Sequence, residues 1–155
     1  MTFDLTITPL IAADLPGLAG ILDRIELFPS EMLADLTAGH LAGAGQDIWL
    51  VAHIGTQPVG LCYATPEALA DRVWNMLALG VDPDHHRSGV AAALTTALLD
   101  HLCGQGARLL IVDTSGGPDY AGARAFYLAQ GFAGPVCLPD YWAEGDDRLT
   151  FSKRL

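Results

Sequence analysis

The stretch from Leu79 to Leu94, Leu-Gly-Val-Asp-Pro-Asp-His-His-Arg-Ser-Gly-Val-Ala-Ala-Ala-Leu, limits what this chain can fold into more than any other. An apolar run ends at Val81, a proline-bearing turn follows, and Ser88-Gly89 opens an alanine-rich segment with helical spacing. Strand, tight loop and helix in that order put the first main-chain N–H groups of the helix, which lack intrahelical partners, at the end of a strand. The helix macrodipole adds partial positive charge there, so an anion is stabilised. Gly89 and Ala91 carry almost no side chain, and a phosphate can approach the main chain of residues 87–91 closely. No Gly-Lys-Ser/Thr follows, which excludes a Walker loop, and the glycine spacing is not that of a G-x-G-x-x-G dinucleotide loop.

Composition narrows the partner. A chain of 155 residues that is 51% hydrophobic and 17% charged suits a single folded domain, residues 1–155, with a substantial core. Its 8 Lys+Arg against 18 Asp+Glu give a formal net charge of −10. That leaves no basic face for a nucleic acid, whereas a cationic amine is compatible. Cys62, Cys103 and Cys137 are odd in number and far apart, the pattern of buried, reduced thiols rather than of disulfides or a metal site. The start, Met1-Thr2-Phe3-Asp4, has no basic n-region, and no uncharged apolar run reaches membrane-span length, so a cytoplasmic protein is expected.

Periodicity orders the rest. Phe3, Leu5 and Ile7 alternate into a strand ending at Pro9. A helix from about Ala13, with Asp14 as N-cap and Leu15, Leu18, Ile21, Leu22 and Ile25 on one face, is broken by Phe28-Pro29. Ser30 caps a second helix that ends at Gly43-Ala44-Gly45. Residues 47–54 and 58–65 read as a hairpin about Gly55-Thr56-Gln57, followed by a strand holding Trp74, Met76, Ala78 and Leu79. After the loop, Val90, Leu94, Ala97, Leu98 and Leu102 share a helix face that Gly104 and Gly106 close. Residues 107–112 read as a strand buried on both faces and parallel to the one before the loop. A short helix over 119–130 points Tyr127 at the sheet, and strands near 132–138 and 148–153 complete the chain. Asp82, Asp84, His85 and His86 read as a solvated turn, since adjacent side chains in an extended loop do not converge on a metal.

Three features together resemble the GCN5-related N-acetyltransferases. His86-Arg87-Ser88-Gly89-Val90-Ala91 is similar to that family's Arg/Gln-x-x-Gly-x-Gly/Ala acyl-CoA loop, with His86 where Arg or Gln is usual. The element order β-α-α-β-β-β-α-β-α-β-β matches over essentially the whole length. Ala123-Arg124-Ala125-Phe126-Tyr127-Leu128-Ala129-Gln130-Gly131-Phe132 looks like the family's Ala-x-x-Phe/Leu-Tyr-x-x-x-Gly-Phe segment, with Tyr120 in place of its usual Asn. The resemblance implies a mixed α/β fold: a mostly antiparallel sheet of six to seven strands with a central parallel pair and about four flanking helices.

It also implies acetyl-CoA as co-substrate, with no metal, and a small-molecule or peptide amine as acceptor; a homodimer stays open. Leu79 and Val81 would pair the pantetheine arm through their main chain, and His86, Arg87, Ser88, Gly89, Val90 and Ala91 would hold the pyrophosphate. Tyr127, with an ordinary tyrosine pKa of about 10, is the candidate acid for the departing thiolate. The alternative is a core tyrosine whose hydroxyl satisfies a carbonyl. Asp113, at the end of the buried strand, is either the base or a turn cap. Glu31, Asp140 and Glu144 are weaker candidates for that base. Leu27-Phe28 and Tyr141-Trp142 read as apolar loop pairs, walling the acceptor or packing in the core. A second class of function also fits: an acyl-CoA-binding module that no longer transfers the group.

Overall fold

The computed structural model describes residues 4–155, so Phe3 and the Met1-Thr2-Phe3 start lie outside it. Among the described residues, seven strands form one sheet in the order β1-β2-β3-β4-β5-β7-β6. They are β1 (Leu5–Pro9), β2 (Ile48–Ile54), β3 (Gln57–Pro66), β4 (Val73–Val81), β5 (Leu109–Ser115), β6 (Ala133–Ala143) and β7 (Asp146–Arg154). Four α-helices accompany them: α1 (Leu15–Leu22), α2 (Leu33–Leu41), α3 (Val90–Gly104) and α4 (Ala121–Ala129). Every neighbouring pair is antiparallel except β4 and β5. No helix among them is long and apolar enough to cross a membrane.

The sheet separates two cores. Leu94, Leu98 and Leu102 of α3 pack on Leu50, Val59, Cys62 and Met76 on one face, and Leu18, Ile21 and Leu33 pack on Trp49, Val51 and Leu61 on the other. The alternation along β2 and β3 is what allows both faces to be covered. Gly60 admits α3: a Cβ there would sit 2.9 Å from Val90 Cγ1 and 3.0 Å from the Gly80 carbonyl.

Two irregularities open the crevice. β4 pairs with β5 only over Val73–Asn75 against Leu109–Ile111, so the strands part and Met76 to Val81 lose their β5 partner. Between Ala64↔Met76 and Tyr63↔Ala78 the register with β3 slips, making Leu77 an unpaired bulge residue. The bulge reverses the facing of the strand: Trp74 and Met76 join the α3 core before it, Leu79 and Val81 pack there after it, and Ala78 turns to the α1 side.

Several elements depart from the sequence reading. α1 stops at Leu22 because Arg24 is drawn to Asp82 and Asp84 while Ile25 and Leu27 close on Gly80. Asp14 does not cap α1 with its side chain; a carboxylate oxygen accepts from the Ile11 N–H at 3.0 Å and the other meets His53 Nε2 at 2.7 Å. Ser30 begins a 3₁₀ turn without a side-chain cap. β5 is buried on one face and only half-buried on the other, because the splay from β4 uncovers it. Tyr141 and Trp142 belong to β6, a longer edge strand than expected and exposed throughout. Cys62 is buried, but Cys103 and Cys137 are exposed, on the outer side of α3 and on that edge strand.

Candidate functional site

The parting of β4 from β5 exposes two cavities that meet at Tyr127. The first, of about 670 Å³, runs from β4 across the start of α3 to α4. Leu79, Val81, His86, Arg87, Gly89, Val90 and Ala91 all line it, as do Gly122 and Phe126 of α4 and Gln130 just past its end, which the sequence reading did not single out as wall residues. Their small or apolar character was visible in the segment that carries Tyr127. Ser88 is not in the wall; its hydroxyl turns back to donate to the His85 carbonyl.

The loop is built from its own side chains. Asp82 is buried rather than solvated and accepts from the Asp84 N–H at 3.0 Å and from Arg24 Nη1 at 2.8 Å; Arg24 Nη2 reaches Asp84 at 3.1 Å. That guanidinium offsets carboxylate charge beside the turn that opens α3. His86 Nε2 lies 3.2 Å from the Val81 carbonyl, tying the loop to the end of β4. Arg87 and Gly89 adopt left-handed backbones, φ 61° and 84°. A Cβ on Gly89 would meet nothing within 4 Å, so glycine is required there by the backbone turn rather than by crowding.

The second cavity, of about 500 Å³, lies on the other side of Tyr127. Asp113 and Asp146 line it together with Glu26, Leu27, Leu77, Tyr120 and Trp142. Asp113 Oδ1 accepts from Thr150 Oγ1 at 2.5 Å and lies 4.0 Å from Arg148 Nε. Ser115 donates to Asp146, and Trp142 Nε1 donates to the Thr114 carbonyl at 3.3 Å. Glu144 and Asp140 sit apart in the β6–β7 hairpin, where Asp140 takes the Gly145 N–H at 2.7 Å. Glu31 lines a shallower groove further out. Glu26, Tyr120 and Asp146 are wall residues that sequence reasoning missed as such, because they come from three separate elements.

Tyr127 is 8% exposed and packs on Phe126, Phe132 and Phe151, yet it lines both cavities. Among the described residues no carbonyl accepts from its hydroxyl. Burial, and then the neighbouring Cys62 thiol, push its pKa up to about 12, above the ordinary value assumed from sequence. Burial alone pushes Cys62 to about 12. Neither group ionises near neutrality.

The cavities are electrically opposite. The first is lined by His85, His86 and Arg87 and by no carboxylate; the second by Glu26, Asp113 and Asp146 and by no Lys, Arg or His. Among the described residues no three His, Cys, Asp or Glu side chains converge as a metal site.

Comparison with known proteins agrees with this geometry. The family model described as Acetyltransferase (GNAT) domain matches residues 45–133, and the chain belongs to that family of acetyltransferases. It is 32% identical over 103 residues to human N-acetyltransferase 8, a match spanning 64% of this chain and 44% of that protein. The fold superposes on a GNAT-family protein from Desulfovibrio desulfuricans with a TM-score of 0.87 at 22% identity, covering 97% of this chain and 98% of the other. An aminoglycoside 6′-N-acetyltransferase solved with coenzyme A gives 0.76 at 15% identity, covering 96% of each chain. The matched segment contains every wall residue of the first cavity, but Glu26, Leu27, Trp142 and Asp146 of the second lie outside it.

Proposed function

We propose that this protein, acting as one domain, transfers an acetyl group from acetyl-CoA to a primary amine by direct attack, with the two substrates entering from opposite sides of Tyr127. The observation that carries this reading is the charge segregation: an acid-free cavity at a helix N-terminus suits a polyphosphate, and a base-free cavity suits an ammonium. The first cavity fits the co-substrate. Main-chain N–H groups of residues 87–91 would hold the pyrophosphate, with Arg87 alongside and the open face of Gly89 giving access. The unpaired edge of Leu79 and Val81 would accept the pantetheine amides as an added strand would. Acetyl-CoA supplies the activated acyl group.

Asp113 faces the second cavity with one oxygen held by Thr150, which fixes the carboxylate to take a proton from the incoming ammonium directly or through water. The neutral amine nitrogen bonds to the acyl carbon as the C–S bond breaks, the Tyr127 hydroxyl donates its proton to the sulfur that leaves, and the proton then shed by the new amide nitrogen returns through water to the Tyr127 oxygen. Cys62 is held protonated by burial, so it does not serve as a covalent relay and direct attack is the consistent route.

The test is Tyr127→Phe, which keeps the packing on Phe126, Phe132 and Phe151. Thiol release with a panel of amines should show kcat reduced by at least about 10²-fold, the lower end for a positioned proton donor, with acetyl-CoA affinity little changed. A folded variant that turns over at the parent rate would remove Tyr127 from the chemistry.

A further inference from the structure

Behind Asp113 stands a cation that lines neither cavity. Arg148 lies on β7 two residues before Thr150, which is directly opposite Asp113, so all three side chains share one face of the sheet. Arg148 Nε is 4.0 Å from Asp113 Oδ1, beyond hydrogen-bonding reach, and it is buried with no hydrogen-bond partner among the described residues. What seats the guanidinium is a ring: its Cζ lies 4.5 Å from the centroid of Tyr141 on β6. A buried donor without a partner is costly, so its place calls for a reason.

The charges around Asp113 supply one. Asp113 shares its cavity with Glu26 and Asp146, and the other ionisable groups in that wall, Tyr120 and Tyr127, carry no positive charge. Arg124 of α4 is turned to the Ser115 and Gly117 carbonyls, at 3.0 and 2.7 Å. Among the described residues Arg148 is therefore the one cation within 4.0 Å of Asp113. Thr150 and Arg148 approach the same oxygen, Oδ1, while Oδ2 has no partner among the described residues and is not sealed in the interior.

We infer that Arg148, seated on Tyr141, is a positioning residue for Asp113: it attracts Oδ1, offsets the like charges of Glu26 and Asp146, and leaves Oδ2 to take the proton of the acceptor. This rests on the acetyl-transfer reading above, in which Asp113 is the base. At 4.0 Å the guanidinium attracts the carboxylate without the paired hydrogen bonds that would occupy both oxygens. The Tyr141 ring holds the cation by its face and brings no anion that would compete for the charge.

Arg148→Met keeps the aliphatic stem and removes the charge. By thiol release at saturating acetyl-CoA and amine, kcat at neutral pH should fall roughly fivefold, the upper range for a partly exposed ion pair, with acetyl-CoA affinity unchanged as the check on folding. The deficit should shrink as pH rises, because carboxylates that have lost their counter-charge give up a proton only at higher pH. Arg148→Lys should restore most of the rate. Adding Arg148→Met to Asp113→Asn should slow turnover no further than Asp113→Asn alone, since one acts through the other. Should Arg148→Met fail to fold, Tyr141→Leu, which removes the seat and keeps the charge, reads the same coupling. Losses that add, or a parent rate and pH profile in Arg148→Met, would overturn this inference and leave acetyl transfer intact. A parent rate in Asp113→Asn would instead remove the base from the reading above, and the positioning role with it.

Discussion

Tyr127 shows how far a single residue can be read. Its place in Ala-x-x-Phe-Tyr marked it as the candidate acid, and the structure puts it where two cavities meet. Its acidity was not legible, because burial against Phe132, Phe151 and Cys62 is a tertiary fact. Raising the pKa from about 10 to about 12 moves the hydroxyl away from the pKa of a thiol, near 8.5, so in the proposed reaction it would act as a fixed donor to developing charge rather than as a group poised to ionise. The sign of the pH dependence follows. The neutral hydroxyl is the donating form and persists below about 12, so kcat/KM should climb as the amine loses its proton, with no descending limb up to pH 10. A pH–rate profile checks this. A descending limb between pH 8 and 10 that vanishes in Tyr127→Phe would show that the hydroxyl titrates as an ordinary tyrosine.

At the scale of elements, the order of strands and helices was legible because each has its own period and its own glycine or proline stop. What escaped was set by contacts between elements. The bulge at Leu77 leaves no trace in Met76-Leu77-Ala78-Leu79, where four consecutive apolar residues conceal a change of phase. The end of α1 at Leu22 depends on Arg24 reaching across to Asp82, a partner 58 residues away. The loop-to-α3 junction was the best-read element, and the structure adds a backbone reason for its glycine to the one read from the sequence. Gly89 stands at φ 84° with open space around its missing Cβ, so the conformation and not the room demands glycine. Gly89→Ala should therefore cost about 1–2 kcal/mol of stability, the penalty for a left-handed L-residue, as read by chemical denaturation. It should also weaken CoA binding in calorimetry by re-aiming the N–H groups of residues 87–91. A stable variant with unchanged affinity would place the phosphates elsewhere.

On the scale of the whole molecule, one sheet defect does two jobs. The splay between β4 and β5 leaves a free strand edge on one side of Tyr127 and a cavity on the other, where the proposed reaction seats its two substrates, and the charge of the walls changes sign between them. The net charge of −10 is not spread evenly: Glu26, Asp113 and Asp146 gather in the second cavity, the one proposed to take the acceptor. Such a field draws a cation toward the cleft over the Debye length, about 30 Å at 0.01 M salt and about 8 Å at 0.15 M. Raising ionic strength between those limits should therefore raise KM for a cationic amine several-fold. The value of kcat at saturating amine should hold, because the contacts around Tyr127 lie within a few ångströms and are screened far less. Steady-state kinetics at a series of salt concentrations reads both quantities. A KM for cationic amines that is indifferent to salt would mean that the acidic wall does not steer the acceptor.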